Sequence, residues 1–339
     1  MRRRVAAGVG FAALLFLLVQ LGALALVPTF YESGYQTVED PSDPTNSLVY
    51  IVAILVATAA MLAAFKYDLD WVVRAFVVVA AASISWYVFS VLLPPVAAIG
   101  ASIALAALLV VHPEWYVLDA AGVVMGAGAA GLFGISFGLL PAILLLSVLA
   151  VYDAISVYGT EHMLDLASGV MDLKLPVVLV VPTTLSYSLR ETDAGETVAE
   201  SKRDGGDDET SAADADTDAS VADGGGEQSE DAAADEDDVR DAFFIGLGDA
   251  VMPTVMIASA AFFLPADLTP SLGVAWLPAL TLPALTAMIG TFAGLFVLLW
   301  MVLKGRAHAG LPLLNGGAIG GYLVGALVSG VPILTAIGL

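Results

Sequence analysis

The chain has 339 residues, 59% of them hydrophobic, with no cysteine, three histidines and a formal net charge of −22. That apolar content, with a mean hydropathy of +0.88, excludes an ordinary soluble globule and fits a protein that crosses a membrane many times. The absence of thiols excludes disulfide and cysteine chemistry. His112, His162 and His308 are too scattered to suggest a metal site, and no basic patch suggests nucleic acid.

Taken in chain order, the apolar runs predict nine spans, at about 5–27, 47–65, 72–93, 95–111, 115–135, 139–158, 241–264, 276–303 and 312–337. Arg2 to Arg4 followed by an apolar run resemble a secretory signal, but the run is long and lacks a small-residue cleavage site, so it reads as an uncleaved first span. Pro94 and Pro95 force a tight turn between spans three and four. With the N-terminus inside, all twelve Lys and Arg fall at the inner ends of spans or in inner connections, and the outer stretches 28–46 and 265–275 hold none. The expected fold class is therefore an all-α polytopic membrane protein of about nine transmembrane helices, N-terminus cytoplasmic and C-terminus outside.

Between spans six and seven the pattern changes. Glu161, His162, Asp165, Asp172 and Lys174 alternate with apolar residues, which predicts a short helix on the membrane surface. Residues 175–182 form a β-branched run bracketed by prolines and predict an extended strand. Residues 191–238 hold 19 acids and two bases, so the acidity belongs to one segment. With almost no large apolar side chain, 191–240 is expected to be a flexible tether, and its Asp-rich, Lys-poor composition suggests life in high salt. The chain divides into an N-terminal membrane region (1–158), an interfacial helix and strand (159–190), the acidic cytoplasmic loop (191–240) and a C-terminal membrane region (241–339).

Asp153 lies near the end of span six and Asp249 near the start of span seven. A carboxylate in hydrocarbon is costly, so each marks a functional site by default. Both lie at the inner end of their spans, on the order of 10 Å below the inner surface. Two carboxyls held together share a proton and titrate as a pair. The ionised one can then take a proton from water while the other donates to a carbonyl, with no metal or cofactor. Gly246 and Gly248 flank Leu247 and remove side chains beside Asp249, which admits a close backbone or substrate. Tyr152 either bonds into such a pocket or anchors its span at the interface.

Tyr152-Asp153 on one span and Gly246-Leu247-Gly248-Asp249 on the next resemble the presenilin and signal peptide peptidase family of intramembrane aspartyl proteases, most of all its prokaryotic, presenilin-like branch. Ala309-Gly310-Leu311-Pro312, just before the last span, stands where that family carries Pro-Ala-Leu, with proline missing from the first position. Literal Pro-Ala-Leu runs at 278–280 and 283–285 lie on the outer side and are decoys. The resemblance implies hydrolysis of peptide bonds within membrane-spanning segments or signal peptides. Asp153 and Asp249 would be catalytic, Tyr152, Gly246, Leu247 and Gly248 would be their neighbours, and residues 309–312 would shape the pocket. It implies a cell-membrane enzyme acting on membrane-spanning peptides. The small loops offer no docking surface for an obligate partner subunit. Physically, the 175–182 strand or the backbone before span seven can pair with an unwound substrate and restore its lost hydrogen bonds.

Other features have plainer readings. Gly316, Gly317, Gly320, Gly321 and Gly325, and Gly122 with Gly126, are expected to serve close helix packing, with a lateral substrate gate as the sharper reading for span nine. Asp119 reads as an interfacial acid, with a place on a proton path as the sharper reading, His308 as an interfacial residue, and Asn315 as bonding either in the bundle or near the pocket. Pro253 and Pro265 kink or end span seven. Two rivals stand beside the protease. A proton-coupled transporter or ion channel also uses intramembrane acids. A prepilin or preflagellin leader peptidase also uses Gly-x-Gly-Asp, on fewer spans.

Overall fold

In hydrocarbon every backbone polar group must be satisfied within the protein, so long apolar runs become helices. The computed structural model describes residues 2–159, 176–182, 187–189, 242–304 and 309–339. The surface helix expected over 160–175, the acidic tether and His308 lie outside the described residues. The elements are α1 (Arg2–Glu32), α2 (Thr45–Lys66), α3 (Asp70–Leu92), α4 (Pro95–Val111), α5 (Trp115–Ser136) and α6 (Leu139–Gly159). They continue with β1 (Val178–Pro182), β2 (Ala242–Gly246), α7 (Leu247–Phe263), α8 (Leu282–Val302), α9 (Leu311–Val328) and α10 (Ile333–Ala336). Among the described residues seven helices are long and apolar enough to cross a membrane, while α4 and α7 are apolar but shorter, at 17 residues each.

Three expected spans begin or end elsewhere. The stretch expected to open span seven is strand β2, and the helix starts only at Leu247. Hydropathy cannot tell a buried strand from a buried helix in so short a run. The eighth helix starts at Leu282 rather than 276, because Thr281 caps it by accepting from the Ala284 N–H and Pro283 sits in its first turn. The ninth stops at Val328, where Gly330 turns the chain with φ 81° before Pro332 and the short α10. The Pro94-Pro95 turn forms as read: Pro94 is extended and Pro95 opens α4.

Helix α5 is the most enclosed of the long helices, and small residues are the cause. A Cβ on Gly134 would lie 2.3 Å from that of Ala258 on α7, one on Gly128 would lie 2.6 Å from Val88 on α3, and one on Gly131 would lie 3.2 Å from the Phe30 ring of α1. Three helices thus reach the α5 backbone through neighbouring glycines. Helices α8 and α9 pack backbone to backbone. A Cβ on Gly317 would fall 2.2 Å from the Gly290 carbonyl, and one on Gly321 2.2 Å from that of Thr286. Gly317, Gly321 and Gly325 share this face, whereas Gly316 and Gly320 look into open space. The five glycines therefore split into a packing row and an open row. Around this centre, Val52, Val56, Phe76, Val96 and Ile103 are exposed on α2, α3 and α4, a surface suited to lipid.

Strands β1 and β2 pair antiparallel, with Val178 opposite Gly246 and Val180 opposite Phe244. One face, with Leu179, Val181 and Ile245, packs against Phe16 and Ala12 of α1 and Leu298 of α8. The other, with Val180, Ala242 and Phe244, packs on Leu118 and Ala121 of α5. The sheet hands the chain directly to α7: Gly246 ends β2 and serves as the N-terminal flank of the helix.

Candidate active site

Asp153 sits on α6 and is 6% exposed; Asp249 is half-buried in the first turn of α7. What joins them is the start of α9. One carboxylate oxygen of Asp153 (Oδ2) accepts from the Leu311 N–H at 3.0 Å, and the Gly310 N–H also donates to this carboxylate. The first N–H groups of a helix have no partner within it, so α9 offers them to an acid. Asp249 lies against the same residue from the other side: a Cβ on Gly310 would fall 3.0 Å from its Oδ1 and 3.2 Å from its Oδ2. The two carboxyls are near enough for their charges to repel. The Gly310-Leu311 peptide therefore lies against both carboxyls, and a methyl group at 310 would require Asp249 to shift by a few tenths of an ångström.

Around this pair, Gly246 stands 3.4 Å (as a Cβ would) from Asp249 Oδ2, and Gly248 is exposed with nothing within 4 Å. One glycine makes room for the carboxylate and the other leaves its approach open. Leu247 points away from the chemistry. It wedges against Gly126 and Gly122 of α5, and its N–H donates to the Val177 carbonyl at 2.8 Å. Ala309 is buried, and Leu311 and Pro312 are half-buried at the head of α9. Tyr152, expected as a neighbour of the pair, is 38% exposed and turned out of the bundle. Adjacent residues on a helix diverge by about 100°, so the geometry favours the interfacial anchor over the pocket role.

The two Pro-Ala-Leu runs lie at the opposite end of α8 from the site. A groove of about 250 Å³ opens between α6 and α9, lined by Ala150, Ala154, Pro312, Asn315 and Gly316 among others. Asn315 donates to the Leu146 carbonyl at 3.0 Å, which ties α9 to α6.

Two acids play parts that the sequence did not suggest. Asp119 is buried rather than solvated: it is 3% exposed, and its Oδ1 accepts from the Val180 N–H of β1 at 2.7 Å. Glu114, just before α5, is 8% exposed and accepts from Ser188 Oγ at 3.0 Å and the Leu189 N–H at 3.2 Å. The residues 242–246 were read as membrane helix, although Phe243, Phe244 and Ile245 are good strand formers; that composition was the available signal.

Residues 13–331 match the family model described as signal-peptide peptidase, presenilin aspartyl protease. Two solved structures of a presenilin family intramembrane aspartate protease are similar. One, in space group C222, is 28% identical with a TM-score of 0.59, and the match covers 94% of this chain and 99% of that one. The other, in space group P2, is 30% identical with a TM-score of 0.58, over 93% of this chain and 96% of that one. No curated protein matches.

Proposed function

The chain belongs to the signal-peptide peptidase and presenilin family of aspartyl proteases and is a multi-pass intramembrane aspartyl protease acting on membrane-embedded substrates, and we propose that Asp153 and Asp249, the latter in its Gly-x-Gly-Asp setting, are the catalytic pair. The observation that carries this is the Gly310-Leu311 peptide wedged between the two carboxyls. It supports a pair that holds one proton in common.

The ionised carboxylate removes a proton from water as the oxygen attacks the scissile carbonyl. The protonated one donates to the carbonyl oxygen, giving a tetrahedral diol. Return of a proton to the amide nitrogen breaks the C–N bond and releases the two peptides. Water must reach the pair. At about 1.5 Å per residue, the 17 residues of α7 rise roughly 25 Å, short of the ~30 Å hydrocarbon core. At the end bearing Asp249 the chain continues as strand β2 and not as helix. An unwound substrate segment adds to the sheet beside Gly248, and the α6–α9 groove admits it from lipid.

Nine crossings account for the twelve bases on one side: the seven long helices together with α4 and α7. This puts the N-terminus and the 191–240 loop in the cytoplasm, the C-terminus outside, and the enzyme in the cell membrane. The four regions 1–158, 159–190, 191–240 and 241–339 follow, and the enzyme needs no obligate partner subunit. The comparisons do not favour the transporter or leader-peptidase readings. In detergent, the purified protein should cut a helical membrane peptide and be blocked by a transition-state-mimicking aspartyl inhibitor. Asp153→Ala and Asp249→Ala should each remove all cutting while the protein stays folded. Persistent cleavage by the double variant refutes the assignment.

A further inference from the structure

Asp119 is a buried acid on a membrane helix that the proteolytic chemistry does not use. Its Oδ1 takes the Val180 N–H at 2.7 Å, while its Oδ2 has no partner among the described residues. The direction of that bond reveals the layout of the sheet. In an antiparallel pair, opposed residues alternate between exchanging hydrogen bonds and pointing their polar groups outward. Val180 sends its N–H to α5, so Val180 and Phe244 form an outward-pointing pair. The Leu247 N–H bonding the Val177 carbonyl fits the same alternation, with 177, 179 and 181 as the bonded positions.

The outer edge of β1 is therefore closed. Its central donor is occupied by Asp119, Pro182 has no N–H, and α5 packs along it. The outward groups of Phe244 and Gly246 on β2 have no third strand among the described residues. Glu114 reinforces the arrangement. It stands at the N-cap position of α5 yet makes no cap bond, and instead grips Ser188 and Leu189 beyond β1.

We propose that Asp119 is a positioning residue: by holding the Val180 N–H it sets the register of β1 on β2 and restricts any added peptide strand to the β2 edge, the edge that leads into Asp249. A slip by two residues preserves the facing of the side chains, but one that brings Pro182 opposite Asp119 leaves this buried acceptor without a donor. The cut position is thereby referred to Gly246. This rests on the proteolytic assignment above.

The chain has no cysteine, so register can be read apart from catalysis. Outward-pointing pairs bring Cα atoms to about 4.5 Å, within disulfide reach. Val180→Cys with Phe244→Cys should cross-link in the otherwise unaltered chain, and Val180→Cys with Ala242→Cys should not. Adding Asp119→Leu should lower the first cross-link about tenfold or more. In cleavage of a helical membrane peptide, the same change should lower kcat/KM about tenfold and spread the cut over neighbouring bonds, read by mass spectrometry. Asp119→Asn, whose amide oxygen accepts the same bond, should keep both the register and the single cut. If Asp119→Leu does not accumulate, Asp119→Ala carries the same readouts. An unchanged cross-link and cut position in a folded Leu or Ala variant overturns the proposal, as does an Asn variant equally damaged. Intact 180–244 cross-linking in the double-cysteine chain, together with a wild type that cuts no peptide, supports the register and overturns the catalytic pair instead.

Discussion

At Gly310 a single hydrogen stands where a methyl group would press on the Asp249 carboxylate at 3.0 Å. Ala there needs a carboxylate shift of a few tenths of an ångström, whereas a branched side chain displaces it. Gly310→Ala should keep single-turnover cleavage within a few-fold, and Gly310→Val should lose about 10²-fold, the usual consequence of a misplacement near 1 Å. The pair itself should give a bell-shaped pH dependence of kcat/KM. The rate rises as the first of two shared protons leaves and falls as the second leaves, because only the singly protonated pair has both an acid and a base. Asp249→Asn should remove activity across the whole pH range. Both aspartates were legible in the sequence because a charge in an apolar run demands a reason. The choice between the two readings of Tyr152 was not legible in the sequence, because proximity along the chain is not proximity around a helix. The burial of Asp119 was not legible, because nothing in the sequence announces that a strand returns to cover it.

Packing of α8 on α9 offers a matched comparison between elements. Gly317 touches the Gly290 carbonyl, while Gly320, on the same helix, meets nothing within 4 Å. Gly317→Ala should destabilise by about 1–3 kcal/mol, the range for overpacking a tight contact, and Gly320→Ala should stay within about 0.5 kcal/mol. Thermal unfolding in detergent distinguishes them. The Gly317 variant should also lose activity, because α9 carries Gly310 and Leu311 to the aspartates. The helices were legible from length and apolarity, and their glycine-rich faces from spacing. Which glycines pack was not, since 316, 317, 320 and 321 satisfy the same Gly-x-x-x-Gly pattern and only the neighbour selects between them. The strand at 178–182 was read from its β-branched run, but its mate at 242–246 was absorbed into a span, and the two were not seen as partners.

For the molecule as a whole, the arrangement of basic residues makes a labelling prediction. In the cysteine-free chain, Ser42→Cys or Ser271→Cys should react with an impermeant thiol reagent from outside, and Ser211→Cys only from the cytoplasmic side. The reverse pattern rejects the orientation. Replacing 191–238 by a short Gly-Ser linker should leave kcat/KM within about two-fold, as expected of a tether that buries little. The membrane character and the positions of the aspartates could be read along the chain, because they depend on the transfer of local residues between water and hydrocarbon, a property that a linear run carries with it, and the family likeness rested on the short motifs around Asp153 and Asp249. The meeting of Asp153 with Leu311, the closeness of Gly310 to Asp249 and the clasp of Asp119 on Val180 join residues 60 to 160 positions apart. Such contacts depend on which helices pack together and at what rotation, and that is settled by mutual fit of surfaces that no single segment contains.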